Sequence, residues 1–161
     1  MALDSSAGDG QLYVPISDYD HHIPGLNSPD AQRVEPRQPS LSALDVATGR
    51  TVWKKRMQPI CGNSDECDPA LSAAVSAIPG AVFAGGLDGF LRAFDSKSGD
   101  VIWQVDTAIE IEGVNGVKGN GGAIDADGAV IVDGSVYINS GYGLFGAESG
   151  NLLLVYSVDG K

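Results

Sequence analysis

Short stretches of apolar and alternating residues, each about a strand long, succeed one another along the chain with turn residues between them. Residues 11–17 (QLYVPIS) open the series, and a polar insert over 18–40 carrying Pro24, Pro29, Pro36 and Pro39 interrupts it. Residues 73–78 and 81–85 flank the turn dipeptide Pro79-Gly80, and Leu87-Asp88-Gly89 turns into a further strand containing Leu91 and Ala93. Val101 and Trp103 mark the next, after which residues 129–132 and 135–139 flank Asp133-Gly134. Nothing in this pattern has the 3.6-residue period of a helix, and the 22 glycines weigh against helix interiors. The pattern predicts an all-β chain.

The strands belong to a repeat. Ala43, Asp45, Thr48, Gly49 and Trp53 recur as Ala93, Asp95, Ser98, Gly99 and Trp103, each fifty positions later. A degenerate third copy begins at Leu152 and reaches Lys161 without a tryptophan. Each copy reads as a hairpin in which the Asp and Thr/Ser oxygens bind nearby amides and Gly takes a positive φ. With the strand pair upstream, one unit holds four strands. A period of this length signals a repeat architecture, and four-stranded units are the blades of a propeller. An aromatic at one fixed place in every blade is suited to dock on the neighbouring blade. The expected fold is therefore a partial β-propeller of about three blades, with blade segments near 11–56, 72–106 and 123–161 and an insert at 18–40, against 4 to 8 blades in a closed ring.

The doubled A-x-D-x-x-[TS]-G-x-x-x-W motif resembles the blade signature of pyrroloquinoline-quinone (PQQ)-dependent alcohol dehydrogenases and their non-enzymatic propeller relatives. Residues 71–80, 85–93, Val114-Asn115-Gly116-Val117 and 137–143 (YINSGYG) are similar to the C-terminal half of polyvinyl-alcohol-dehydrogenase-like quinoproteins, so the likeness covers most of the chain from Gln11. It implies four-stranded PQQ-type blades, a periplasmic setting, oxidation of a hydroxyl to a carbonyl, and PQQ with Ca²⁺ at the propeller axis. The chain then reads as a C-terminal fragment of such an enzyme, inactive alone, with the missing blades as its partners and a small alcohol or polyol as the parent's substrate. The same repeats occur in outer-membrane assembly lipoproteins without redox chemistry, so a protein-binding scaffold is the alternative. A kelch array, with Gly85-Gly86 as its doublet, fits the Trp spacing less well.

Charge narrows the partners. A net charge of −11 repels nucleic-acid backbones and anionic membrane surfaces. No apolar run of about 18 residues is present to span a bilayer. Residues 1–5 lack the basic and apolar regions of a secretion leader, and no Cys-x-x-Cys-His is available to attach a c-type haem.

The candidate chemistry lies in the Gly-rich segment 110–122. Lys118 is suited to pair with a quinone carboxylate or carbonyl oxygen, and Asn115 offers an amide to a hard cation or to the cofactor. The other reading is a solvated loop. Glu112, Asp125 and Asp127 are carboxylates that also suit turns, and none is assigned as a catalytic base. Cys61 and Cys67 bracket a polar, turn-rich segment suited to a small disulfide loop, two free thiols being the alternative. His21 and His22 are sequential and would point to opposite sides of an extended segment, which disfavours shared metal ligation.

Overall fold

The computed structural model describes residues 1–4, 10–18, 38–58, 60, 68–143 and 147–158, and among them the regular structure is entirely β. Four sheets form, all with antiparallel pairing. Blade 1 is the sheet β1-β2-β3-β4, made of Ala2–Asp4, Gln11–Ile16, Ser40–Asp45 and Thr51–Arg56. Blade 2 repeats it as β5-β6-β7-β8, from Ser76–Ile78, Ala81–Gly85, Phe90–Asp95 and Val101–Asp106. A hairpin of β9 (Glu110–Glu112) and β10 (Lys118–Asn120) follows. Blade 3 then pairs β11 (Val130–Val132), β12 (Ser135–Ser140) and β13 (Leu152–Ser157).

The strand pattern differs from the sequence expectation in two places. Residues 73–75 lie outside β5, because the Ala74 amide donates to Ala126 O in the next blade's entry segment instead of entering a ladder. The segment Ala2–Asp4 supplies a strand that no local alternation signals; its pairing with Gln11–Tyr13 makes it one. Blade 3 has three strands among the described residues. The pairs Cys61/Cys67 and His21/His22 lie outside the described residues, as does most of the insert.

The repeated turns take the predicted chemistry. Asp45 Oδ1 accepts the Thr48 amide at 2.7 Å and the Thr48 hydroxyl at 2.6 Å, while the Gly49 amide donates to Asp45 O at 2.8 Å. In the second copy Asp95 Oδ1 accepts the amides of Lys97 at 2.9 Å and Ser98 at 2.8 Å, and the Gly99 amide donates to Asp95 O at 2.9 Å. Such bonds favour the ionised carboxylate. The Thr48 hydroxyl, then its amide, holds Asp45 below the ordinary value of 3.8. The Ser98 amide, then that of Lys97, does the same for Asp95.

The core sits between blades. Tyr13, Leu41, Ala43 and Met57 of blade 1 and its exit pack on Leu71, Val75, Val82, Ala84 and Phe94 of blade 2 and its entry. Blade 2 meets blade 3 through Ala73, Leu91, Ile124, Ala129 and Ile138, with Phe83, Val136, Leu154 and Tyr156 partly buried against them. Each blade thus buries one sheet face on its neighbour, and apolar area removed from water at about 25 cal/mol per Å² drives the stacking.

Tryptophan docking fixes the first contact. Trp53 Nε1 donates to Ser96 O at 2.9 Å, and its ring stands 6.0 Å from that of Tyr13. Gly99, at φ +73, lies directly beneath: a Cβ there would meet Trp53 Cε3 at 2.6 Å. Glycine therefore serves both the backbone angle and the ring's approach. Trp103 instead packs edge-on against Tyr156 at 5.4 Å between centroids and stays 38% exposed. Burial, then the charge of Asp106, pushes the Tyr156 phenol above 10.0.

Candidate functional site

The loops gather at one end of the blades. Register places Phe90 opposite Asp106, so the β6–β7 turn and the exit of β8 share that end. There the Thr107 amide and hydroxyl both donate to Gly89 O, at 3.0 and 2.6 Å. The Thr107 and Ser140 hydroxyls lie 2.7 Å apart, both residues buried, and the Gly122 amide donates to Ser140 Oγ at 3.0 Å. A Cβ on Gly121 would sit 1.6 Å from Thr107 O, so only glycine admits this crossing. The same layer continues through Ala123 N to Glu148 O at 2.8 Å and Gly141 N to Ala123 O at 3.0 Å. Its polar groups are largely spent on one another, which makes it a clasp between blades 2 and 3.

Beside it, Arg92 forms a two-pronged ion pair with Asp88: Nη1 donates to Oδ1 at 3.0 Å and Nη2 to Oδ2. Both side chains are almost wholly buried, and the guanidinium carbon stands 5.1 Å from the Phe90 ring centroid. Asp88 also accepts the Phe90 amide at 3.2 Å. Pairing and extra hydrogen bonds are what a buried charge needs. Sequence reading missed this pair. Its signal was a carboxylate in a turn and an arginine four residues on at an otherwise apolar strand position.

The predicted cofactor residues stand on the β9–β10 hairpin, which projects from this end. Asn115 is exposed in its turn, where its Oδ1 accepts the Val117 amide at 3.0 Å. Lys118 Nζ reaches Glu110 Oε1 at 2.6 Å, with the side chains 68% and 56% exposed. Glu112 is directly across the ladder from Lys118. Asp125 and Asp127 are engaged elsewhere: Asp125 accepts from the Ser72 hydroxyl and the Ala126 backbone amide, and Asp127 from the Asn139 side-chain Nδ2 at 3.5 Å. Among the described residues no three His, Cys, Asp or Glu side chains gather closely enough to hold a metal ion.

An apolar groove of about 540 Å³ opens between blades 2 and 3, lined among others by Ile78, Phe83, Ile102, Trp103, Val136 and Tyr156. It offers shape and hydrophobic contact but little polar chemistry.

Comparison with known proteins supplies the family. Residues 28–159 match the PQQ_2 family, described as the outer membrane protein assembly factor BamB. Polyvinylalcohol dehydrogenase of Sphingopyxis sp. (strain 113P3) is 38% identical over 170 residues, covering 98% of this chain and 24% of its own length. Quinohemoprotein alcohol dehydrogenase ADH-IIG of Pseudomonas putida is 40% identical over 94 residues, covering 50% of this chain and 13% of its own length. The solved BamB of Moraxella catarrhalis superposes with a TM-score of 0.50 at 21% identity, covering 77% of this chain and 35% of that one, a likeness of fold. The chain thus spans about a quarter of the length of the polyvinylalcohol dehydrogenase it matches. With its repeated blades, docking tryptophan and match over residues 28–159, this chain belongs to the PQQ_2 propeller family and is homologous to quinoprotein alcohol dehydrogenases.

Proposed function

We propose that this chain is the C-terminal portion of a PQQ-dependent alcohol dehydrogenase of the periplasm, inactive alone, whose parent oxidises the hydroxyl of a small alcohol or polyol to a carbonyl. The observation that carries this reading is 38% identity to a polyvinylalcohol dehydrogenase across 98% of the chain, against 24% of that enzyme. The reaction moves two electrons and two protons from the alcohol to a quinone acceptor.

Asn115 and Lys118 are the residues proposed to face the cofactor. The Lys118–Glu110 pair is more than half exposed, and such pairs contribute little, so the ammonium is available to a quinone carboxylate at small cost. Asn115 has one amide oxygen engaged in its own turn and stands exposed at the hairpin tip. The disulfide of Cys61 with Cys67 is kept as part of the same proposal, since a periplasmic compartment favours it.

The family description as an assembly factor favours a second reading, a propeller that binds proteins without redox chemistry. Expression of the longer polypeptide containing these residues, supplied with PQQ and Ca²⁺, separates the two. The enzyme reading predicts alcohol-dependent reduction of an artificial electron acceptor, weakened by Lys118→Gln. No reduction with any primary, secondary or polymeric alcohol would favour the scaffold.

A further inference from the structure

We infer that Asn151 is a positioning residue that locks the β9–β10 hairpin against blade 3 and so sets where Lys118 stands.

The hairpin has little to hold it in place by itself. Its strands are three residues each, and an isolated pair of short strands is at best marginal in water. The Lys118–Glu110 ion pair is more than half exposed and adds little. Among the described residues, none of 110–120 belongs to the buried apolar clusters. The root is tied where the Thr107 hydroxyl donates to Gly89 O and the Gly121 amide to Ile109 O, but those bonds act only at the base.

Asn151 supplies the missing hold. Bonded and non-bonded pairs alternate along an antiparallel ladder, and here the Gly113 amide bonds Val117 O at 2.9 Å and the Gly121 amide bonds Ile109 O at 3.0 Å. Asn120 lies one residue out of phase with Gly121, so its N–H and C=O turn away from β9. Both meet Asn151: the Asn120 amide donates to Asn151 Oδ1 at 3.0 Å, and the Asn151 amide donates to Asn120 O at 2.7 Å. One residue thus acts as a strand partner, its side-chain oxygen standing in for a second backbone carbonyl. Among the described residues, these two are the hydrogen bonds that leave 110–120 for another part of the fold.

Glycine admits the approach from both sides. A Cβ on Gly119 would meet Leu152 Cδ2 at 2.6 Å and Asn151 Oδ1 at 2.8 Å, and one on Gly150 would run into Asn120 O. Asn151 is itself held by its neighbours, since the Gly150 amide donates to Gly141 O at 2.8 Å and Leu152 pairs with Ser140 of the clasp. The lock is therefore seated on the buried layer between blades 2 and 3. Lys118 stands two residues before Asn120 on the same face of β10, so its stem moves with the locked residue. The lock belongs to the fold, whereas its functional weight rests on the proposed reading of Lys118 as a cofactor contact.

Hydrogen exchange on the full 161-residue chain tests the lock. Asn151→Ala should speed exchange at the Asn120 and Gly113 amides about tenfold, while Gly49 and Gly99 in the turns of blades 1 and 2 keep their rates. Asn151→Asp retains the accepting oxygen and should stay within about twofold of the parent. Gly119→Ala opens the same contact from the hairpin side and should reproduce the Asn151→Ala result, which keeps the test available if that variant fails to fold. No acceleration at Asn120, an Asn151→Asp variant as fast as Asn151→Ala, or equal acceleration at Gly49 and Gly99 would overturn the inference. In the longer polypeptide, Asn151→Ala should weaken PQQ binding in the presence of Ca²⁺ about tenfold, but less than about twofold when Lys118→Gln is already present. Equal weakening in both backgrounds would overturn the positioning of Lys118. Absence of PQQ binding by the unaltered longer polypeptide would count against the proposed function alone, and the lock would then stand or fall on exchange at Asn120.

Discussion

Trp53 of blade 1 donates its indole N–H to the carbonyl oxygen of Ser96 in blade 2, at 2.9 Å. The bond joins the last strand of one repeat to the turn of the next, so the residue most conspicuous in the repeat is the one that fastens repeats together. Trp53→Phe should remove the hydrogen bond and keep most of the packing, at a cost of about 1 kcal/mol. Trp53→Ala should cost about 3 kcal/mol. Urea unfolding with a constant slope checks both, and an unchanged midpoint for the alanine variant would mean that the blades are not joined here.

Two turn glycines with the same backbone angle should respond differently. Gly49 has φ +70 with nothing within 4 Å of an added Cβ, whereas at Gly99, φ +73, the Cβ would run into Trp53. Gly49→Ala is expected to cost about 1 kcal/mol from backbone strain alone. Gly99→Ala should cost about 2–3 kcal/mol, and combining it with Trp53→Ala should cost less than the sum. A double-mutant cycle by equilibrium unfolding measures the coupling.

The buried pair of Asp88 and Arg92 predicts an asymmetry. Asp88→Ala leaves a guanidinium buried without its partner and should destabilise by about 3–5 kcal/mol. Replacing both, Asp88→Ala with Arg92→Met, should recover part of that loss. Thermal unfolding of the two variants side by side is the check, and a double variant worse than the single would contradict it.

Asp45 and Asp95 set a pH dependence. Both carboxylates titrate below 3.8 in the fold because Thr48, and Ser98 with Lys97, hydrogen-bond their ionised forms. The folded state therefore binds fewer protons at these sites than the unfolded chain. Their stabilisation is present above 3.8 and is lost as pH falls through the lowered folded values. The difference in stability between the parent chain and Asp95→Asn should accordingly shrink between about pH 5 and the acid limit, as denaturant midpoints measured across that range would show.

What the sequence made legible was local. Asp45, Thr48, Gly49 and Trp53 sit within nine residues, so their turn chemistry and spacing announce the hairpin and its copy. The role of Trp53 as a dock followed from the repeat, and its acceptor emerged only in three dimensions, because Ser96 is 43 residues away. Ala2–Asp4 forms a strand through pairing with β2 and has too few residues for alternation to show. The β9–β10 hairpin carries no strand signal in the sequence because its strands are three residues long and mostly polar. Asp88 looked like a turn former, and its burial against Arg92 depends on how the β6–β7 turn folds under the neighbouring blade. The hairpin did place Asn115 and Lys118 at the loop end, but as turn and ion-pair partners of their own element.

Under the proposed function, the cofactor site is completed only by residues outside this chain. Fluorescence titration with PQQ and Ca²⁺ of the 161-residue chain, beside the longer polypeptide that contains it, measures this. The prediction is saturable binding at about micromolar concentration or tighter by the longer polypeptide, and none by the isolated chain. Micromolar binding by the isolated chain, or no binding by the longer one, would contradict the account.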